Sequence, residues 1–132
     1  MRTAVDSSVL WCLINREPPA AEWKPALRRA VEEGELLICP IVFAEIAPAY
    51  PDLDEAVRDL GRLQMRYDEI FPESAFAAGA VFKAYRAEGG PRESMIPDFL
   101  IASHAQMQAD RLAAVDRGYL RRYFPSLKLL TP

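Results

Sequence analysis

Hydrophobic positions along this chain come in short blocks whose period alternates between that of a strand and that of a helix. Thr3-Ala4-Val5 is a short β-type run that stops at Asp6, and Ser7 to Asn15 then carries Val9, Leu10, Leu13 and Ile14 on one helical face. Pro18-Pro19 breaks the chain. Ala20 to Glu33 resumes as a helix ending at Gly34, a suitable C-terminal residue, and Leu36-Leu37-Ile38 reads as a buried strand. Pro40 opens a helix that runs to about Ala47, where Pro48 ends it; Glu45 is its only charge, set among Ile41, Val42, Phe43, Ala44 and Ile46. Leu53, Val57, Leu60 and Leu63 lie on one stripe, which predicts an amphipathic helix from Leu53 to about Tyr67.

The second half repeats the alternation. A short strand is predicted at 69–71, an alanine-rich helix from Ser74 to Ala87, and a loop at Gly89-Gly90-Pro91. Pro97 suits the first position of the next helix, because its missing N–H has no partner there anyway; that helix continues to about Gln108. Leu112 to Val115 is a strand that stops at Asp116, Tyr119 to Tyr123 a helical turn, and Lys128 to Leu130 a last strand. Alternating strands and helices predict an α/β fold, a central, mainly parallel sheet flanked by helices on both faces. In open sheets of this kind ligands bind beyond the carboxyl ends of the strands, and Asp6 and Asp116 stand at two such ends.

Composition narrows this picture. A length of 132 residues predicts one domain, 1–132, and 51% hydrophobic with 27% charged residues is a globular rather than a disordered composition. The longest apolar run, Leu36 to Ala44, is interrupted by Pro40 and falls short of the ~18 residues that span a bilayer. The N-terminus enters an apolar segment at once, without the regions of a signal peptide, which predicts a cytoplasmic protein. Cys12 and Cys39 form no CxxC pattern and read as buried thiols. A net charge of -3 argues against bulk electrostatic attraction to nucleic acid. From Arg111 onward, however, Arg111, Arg117, Arg121, Arg122 and Lys128 face only one acid, Asp116.

The candidate chemistry lies in four carboxylates that are out of place: Asp6, Glu45, Asp98 and Asp116. Each has an ordinary explanation when taken singly. Asp6 can cap a helix, Asp98 can complement a helix dipole, Asp116 can form the turn of Asp116-Arg117-Gly118, and Glu45 can pair with a buried arginine. Ala102 and Ala105 share the helical face of Asp98, so small side chains surround that carboxylate. If all four converge, their repulsion calls for a cation, and an all-oxygen set favours Mg²⁺ or Mn²⁺ over zinc.

Asp6-Ser7-Ser8-Val9-Leu10, Ala44-Glu45-Ile46, Asp98-Phe99-Leu100-Ile101-Ala102-Ser103-His104-Ala105 and Asp116-Arg117-Gly118-Tyr119, followed by Arg121-Arg122-Tyr123-Phe124-Pro125, resemble the successive motifs of PIN-domain ribonucleases. The likeness is nearest to VapC-type toxins of toxin-antitoxin pairs and spans essentially the whole chain. It implies an α/β sandwich in which Asp6, Glu45, Asp98 and Asp116 form an acidic catalytic pocket, with Asp6, Asp98 and Asp116 as ligands of Mg²⁺ or Mn²⁺ for cutting RNA. It further implies a homodimer, silenced by a cognate antitoxin, that touches DNA only through that antitoxin. One position departs from the pattern: Ala114 stands where the family usually has Thr or Ser two residues before the fourth acid, although Ser8 can supply a hydroxyl near Asp6.

Arg117, Arg121 and Arg122 follow directly on a proposed ligand and offer RNA phosphates a positive approach; a solvated surface turn explains them equally well. His104, the only histidine, falls about 120° from the Asp98 face, which predicts packing or surface exposure rather than catalysis. Packing explains Tyr119 and Tyr123 as well as base stacking does. The competing readings are a catalytically weak or inactive PIN-like interaction protein, a receiver-like signalling module and a haloacid-dehalogenase-like phosphatase. The last needs a second Asp where Ser8 stands, and a receiver gives Glu45 no role.

Overall fold

The computed structural model describes the chain except for residues 91–94 and 116–117, and of Met95 and Tyr119 the backbone only. Five strands, β1 (Arg2–Val5), β2 (Glu35–Ile38), β3 (Met65–Tyr67), β4 (Arg111–Ala113) and β5 (Leu129–Leu130), form one sheet of order β3-β2-β1-β4-β5, and every pairing is parallel. Among the described residues seven α-helices, with a 3-10 turn at Ala47–Ala49, connect them: α1 (Ser7–Ile14), α2 (Ala20–Glu33), α3 (Pro40–Ile46), α4 (Leu53–Arg62), α5 (Pro72–Ala87), α6 (Met95–Gln108) and α7 (Tyr119–Tyr123). The α/β architecture read from the alternation of strands and helices is therefore the observed one. Parallel strands must be linked by crossovers, and their right-handed sense puts helices on both faces when the order runs outward from β1 in both directions.

Strand order decides where a ligand can sit. The chain moves from β1 outward through β2 to β3, then returns to lay β4 against the other side of β1. The reversal falls between β1 and β4, and a fold of this kind is expected to bind its ligand beyond their carboxyl ends. Asp6 directly follows β1 there, and its N–H donates to the carbonyl of Ala113, the last residue of β4, at 2.9 Å.

The core is continuous. Leu10, Trp23, Leu36, Leu37, Ile38, Phe99 and Leu112 are fully buried, and burying one such side chain contributes about 1.5–3 kcal/mol. Phe99 holds α6 in place: the rings of Tyr85, Tyr123, Phe124 and Phe82 lie 5.5, 5.6, 5.7 and 6.3 Å from its own. Both cysteines are buried and free, as expected. Among the described residues no helix is long and apolar enough to cross a membrane.

Several elements differ from the sequence reading. The helix expected to reach Tyr67 stops at Arg62, Gln64 takes a left-handed φ of 57°, and Met65–Tyr67 becomes the edge strand β3. The strand expected at 69–71 is irregular backbone. On α4 the buried face carries Ala56 and Leu60, while Leu53 and Val57 are exposed, because this helix packs chiefly on the narrow edge at β3. α6 is already helical at Met95; Pro97 still lies in the first turn, where an N–H has no intrahelical acceptor. Pro91, in the predicted loop, lies outside the described residues. Gly34 is required for close approach: a Cβ there would fall 1.8 Å from the carbonyl oxygen of Met1.

Candidate active site

Asp6 caps α1. Its backbone is extended, and its Oδ2 accepts from the Ser8 N–H at 3.2 Å and from the Ser8 hydroxyl at 2.5 Å. The predicted capping role is therefore real, yet it does not account for the burial of this carboxylate, which is 6% exposed. Both bonds fall on Oδ2 and come from the turn that Asp6 itself begins. Among the described residues no cationic side chain meets it.

Glu45 reaches the same place from another element. α3 leaves the carboxyl end of β2 and packs against α1, and the Ser7 hydroxyl donates to Glu45 Oε1 at 2.9 Å. A carboxylate in the last turn of a helix faces the negative end of the dipole, so this position is not one that helix electrostatics favours. Beside it, burial pushes the Cys39 thiol above its ordinary value, which disfavours a soft thiolate ligand.

Asp98 is half-buried in the first turn of α6. Beyond the far end of α6, Asp110 lies at the amino edge of the sheet: its N–H donates to the Arg2 carbonyl at 2.8 Å, and its Oδ2 accepts from the Arg2 N–H at 2.6 Å. A 14-residue helix is about 21 Å long, so its first turn stands over the opposite, carboxyl edge. Ala102 and Ala105 are fully buried, and their small size lets α6 lie close to its neighbours.

The structure thus joins Asp6 to Glu45 through Ser7 and brings Asp98 over the same edge by topology. It does not gather three potential ligands into one cluster among the described residues. Asp116 and Arg117 lie outside them. The donors present are carboxylate and hydroxyl oxygens, which suit a hard divalent ion. Clefts elsewhere include none of these acids; one of about 510 Å³ is lined by Leu13, Lys24, Leu27, Arg28, Arg62 and Met65.

The other candidates have defined surroundings. Arg122 is exposed but engaged, donating to Glu88 at 2.9 Å with its guanidinium 5.2 Å from the Tyr123 ring. Tyr123 donates to the same Glu88 at 2.7 Å, and Arg121 is exposed. Of Tyr119 the side chain is not described. His104 is buried, with Nε2 2.8 Å from Asp68 Oδ2. Gln108 donates to that oxygen at 3.1 Å and to the Glu69 carbonyl at 2.8 Å, while its own Oε1 accepts from Ser74 and from the Phe71 N–H. Sequence reasoning missed this network and Ser7. The available signal was His104 and Gln108 one helical turn apart.

The fold is shared with known complexes. A chain of the VapBC2 complex from Rickettsia felis, bound to a DNA fragment from their promoter, matches with a TM-score of 0.75 at 20% identity, over 98% of both chains. VapBC-1 from nontypeable Haemophilus influenzae matches at 0.70 with 16% identity, over 98% of this chain and 97% of that one. DNA-bound VapBC from Salmonella typhimurium matches at 0.65 with 17% identity and the same coverage. Among curated proteins none matches. The sequence pattern of the PIN domain matches residues 3–125, from within β1 to just beyond α7. With nearly its whole length so accounted for, the chain belongs to the PIN-domain family.

Proposed function

We propose that this protein is a metal-dependent endoribonuclease, the toxin of a VapC-type toxin-antitoxin pair. The observation that carries this reading is the link between Asp6 and Glu45: two carboxylates from separate elements, joined through Ser7 at the edge where α6 brings Asp98. In this reading Asp6, Asp98 and Asp116 hold Mg²⁺ or Mn²⁺, and Glu45 acts beside them. A divalent ion held there supplies charge stabilisation at a phosphodiester and acidifies a water. Ser8 orients Asp6, and Glu45 offers a carboxylate that can accept a proton from water. Arg121 and Arg122, with Arg117, supply a positive approach, and an RNA phosphate competes with Glu88 for the Arg122 guanidinium.

Ser8 argues against a decayed site. Ala114 has no hydroxyl, but the Ser8 Oγ accepts from the Val115 N–H at 3.3 Å while donating to Asp6, so one hydroxyl spans the gap between the β1 and β4 exits. The likeness to VapBC complexes supports an antitoxin partner, with DNA reached only through it, and we place a homodimer in the same proposal.

The test is cleavage of single-stranded RNA by purified protein in Mn²⁺. Wild type should cut, chelation should stop it, and Asp98→Asn should lose at least about a thousandfold, roughly 4 kcal/mol of transition-state stabilisation. Arg121→Ala with Arg122→Ala should flatten the salt dependence of RNA binding while Mn²⁺ binding stays intact. Cleavage that survives chelation, or persists in Asp98→Asn, rules the reading out.

A further inference from the structure

We propose that Ser7 is a positioning residue whose hydroxyl sets Glu45 in register with Asp6, so that the Glu45 carboxylate is held at a fixed place beside the metal ligands. This role presupposes the metal-dependent reading above. Ser7 is buried at the first position of α1, where Asp6 already caps the helix, so helix termination does not explain its hydroxyl. Its hydrogen bond crosses 38 positions of sequence to Glu45 Oε1 at 2.9 Å.

The chemistry of that bond fits a positioning task. A glutamate has three side-chain torsions and loses considerable freedom when fixed. A neutral hydroxyl restrains it by a bond that itself brings no positive charge. Ser7 is covalently next to Asp6, so holding Glu45 by this residue ties the spacing of the two acids to the backbone of one turn. Ser8, the next residue, turns its hydroxyl to Asp6 and to Val115 on the β4 side. The first turn of α1 thereby reaches both flanks of the crevice.

The experiment is Mn²⁺ titration by calorimetry on wild type, Ser7→Ala, Ser7→Thr, Glu45→Gln and the Ser7→Ala/Glu45→Gln double variant, after thermal unfolding has established that each folds without metal. Ser7→Ala should weaken Mn²⁺ binding about 10–100-fold, the range for groups just outside the ligands of a metal, and Ser7→Thr should restore most of it. In the Glu45→Gln background, Ser7→Ala should cost nothing further. Wild-type affinity in Ser7→Ala, or an equal loss in both backgrounds, overturns the proposal. Should Ser7→Ala not fold, Ser7→Cys, of similar size and a weaker donor, is read in its place against the same two outcomes. A wild type that binds no Mn²⁺ overturns the metal-dependent reading itself, and the role of Ser7 with it.

Discussion

Two aspartates follow strands at the carboxyl edge of this sheet, and their surroundings differ in kind. Asp68, after β3, is met by nitrogen donors on both oxygens: His104 and Gln108 on Oδ2, Arg66 on Oδ1 at 3.1 Å. An ionised carboxylate only accepts, so His104 Nε2 carries the proton in that bond. Asp6, after β1, receives among the described residues only the amide and hydroxyl of Ser8, both on one oxygen. The first is consumed by the fold, bracing the exit of β3 against α6. The second is oriented but meets no cationic side chain among the described residues, which is the condition in which a carboxylate can serve an external cation. Position at a strand end is therefore not a sufficient sign of function; the charge of the partners separates the two cases.

The contrast can be tested by removing each acid. Asp68→Ala leaves His104 and Gln108 without their shared acceptor, so it should destabilise the protein by about 2–4 kcal/mol and lower Tm by roughly 10 °C, while any Mn²⁺-induced shift in Tm survives. Asp6→Asn keeps a good capping residue, so stability without metal should change by less than about 1 kcal/mol. Its Mn²⁺-induced shift should vanish. The comparison breaks if the two variants exchange behaviours, with Asp68→Ala losing the metal response and Asp6→Asn the stability.

A third carboxylate gives the smallest effect. Asp59 accepts from the Tyr50 hydroxyl at 2.5 Å; burial, then this hydrogen bond and the charge behind it, push the Tyr50 hydroxyl up to about 12 from its ordinary 10. The folded state thus favours the neutral phenol. That contribution is whole below pH 10 and is lost as pH rises from about 10 through about 12. Tyr50→Phe should flatten this part of the alkaline stability profile, and should leave Mn²⁺ binding unchanged if hydroxyl-held carboxylates matter only at the crevice. An unaltered slope between pH 10 and 12 would count against the Tyr50–Asp59 contact.

Much of the fold was legible in the sequence because helices with a consistent apolar face, such as α2, and capped strand ends, such as Asp6, leave local marks. β3 left none. It has three residues, two of them exposed, so it shows no apolar block, and the helical stripe before it appeared to run on. Of the acids, Glu45 was conspicuous because a charge in an apolar helix needs a partner. One partner, Ser7, was not legible, since its hydroxyl meets Glu45 only through the packing of α1 on α3. The Asp68–His104 contact was hidden for the same reason: it depends on how α6 crosses the exit of β3.

The placement of β1 at the centre of the sheet has a consequence for how the protein is made. Asp6 is made long before the residues that frame it: its backbone is secured by Ala113, and the hydroxyl that orients it is secured by Val115, 107 positions after Ser8. Contacts this distant in sequence form late, because closing so long a loop costs entropy before any contact offsets it. A chain still being synthesised therefore carries Asp6 without the frame that secures it until the β4 segment has been made.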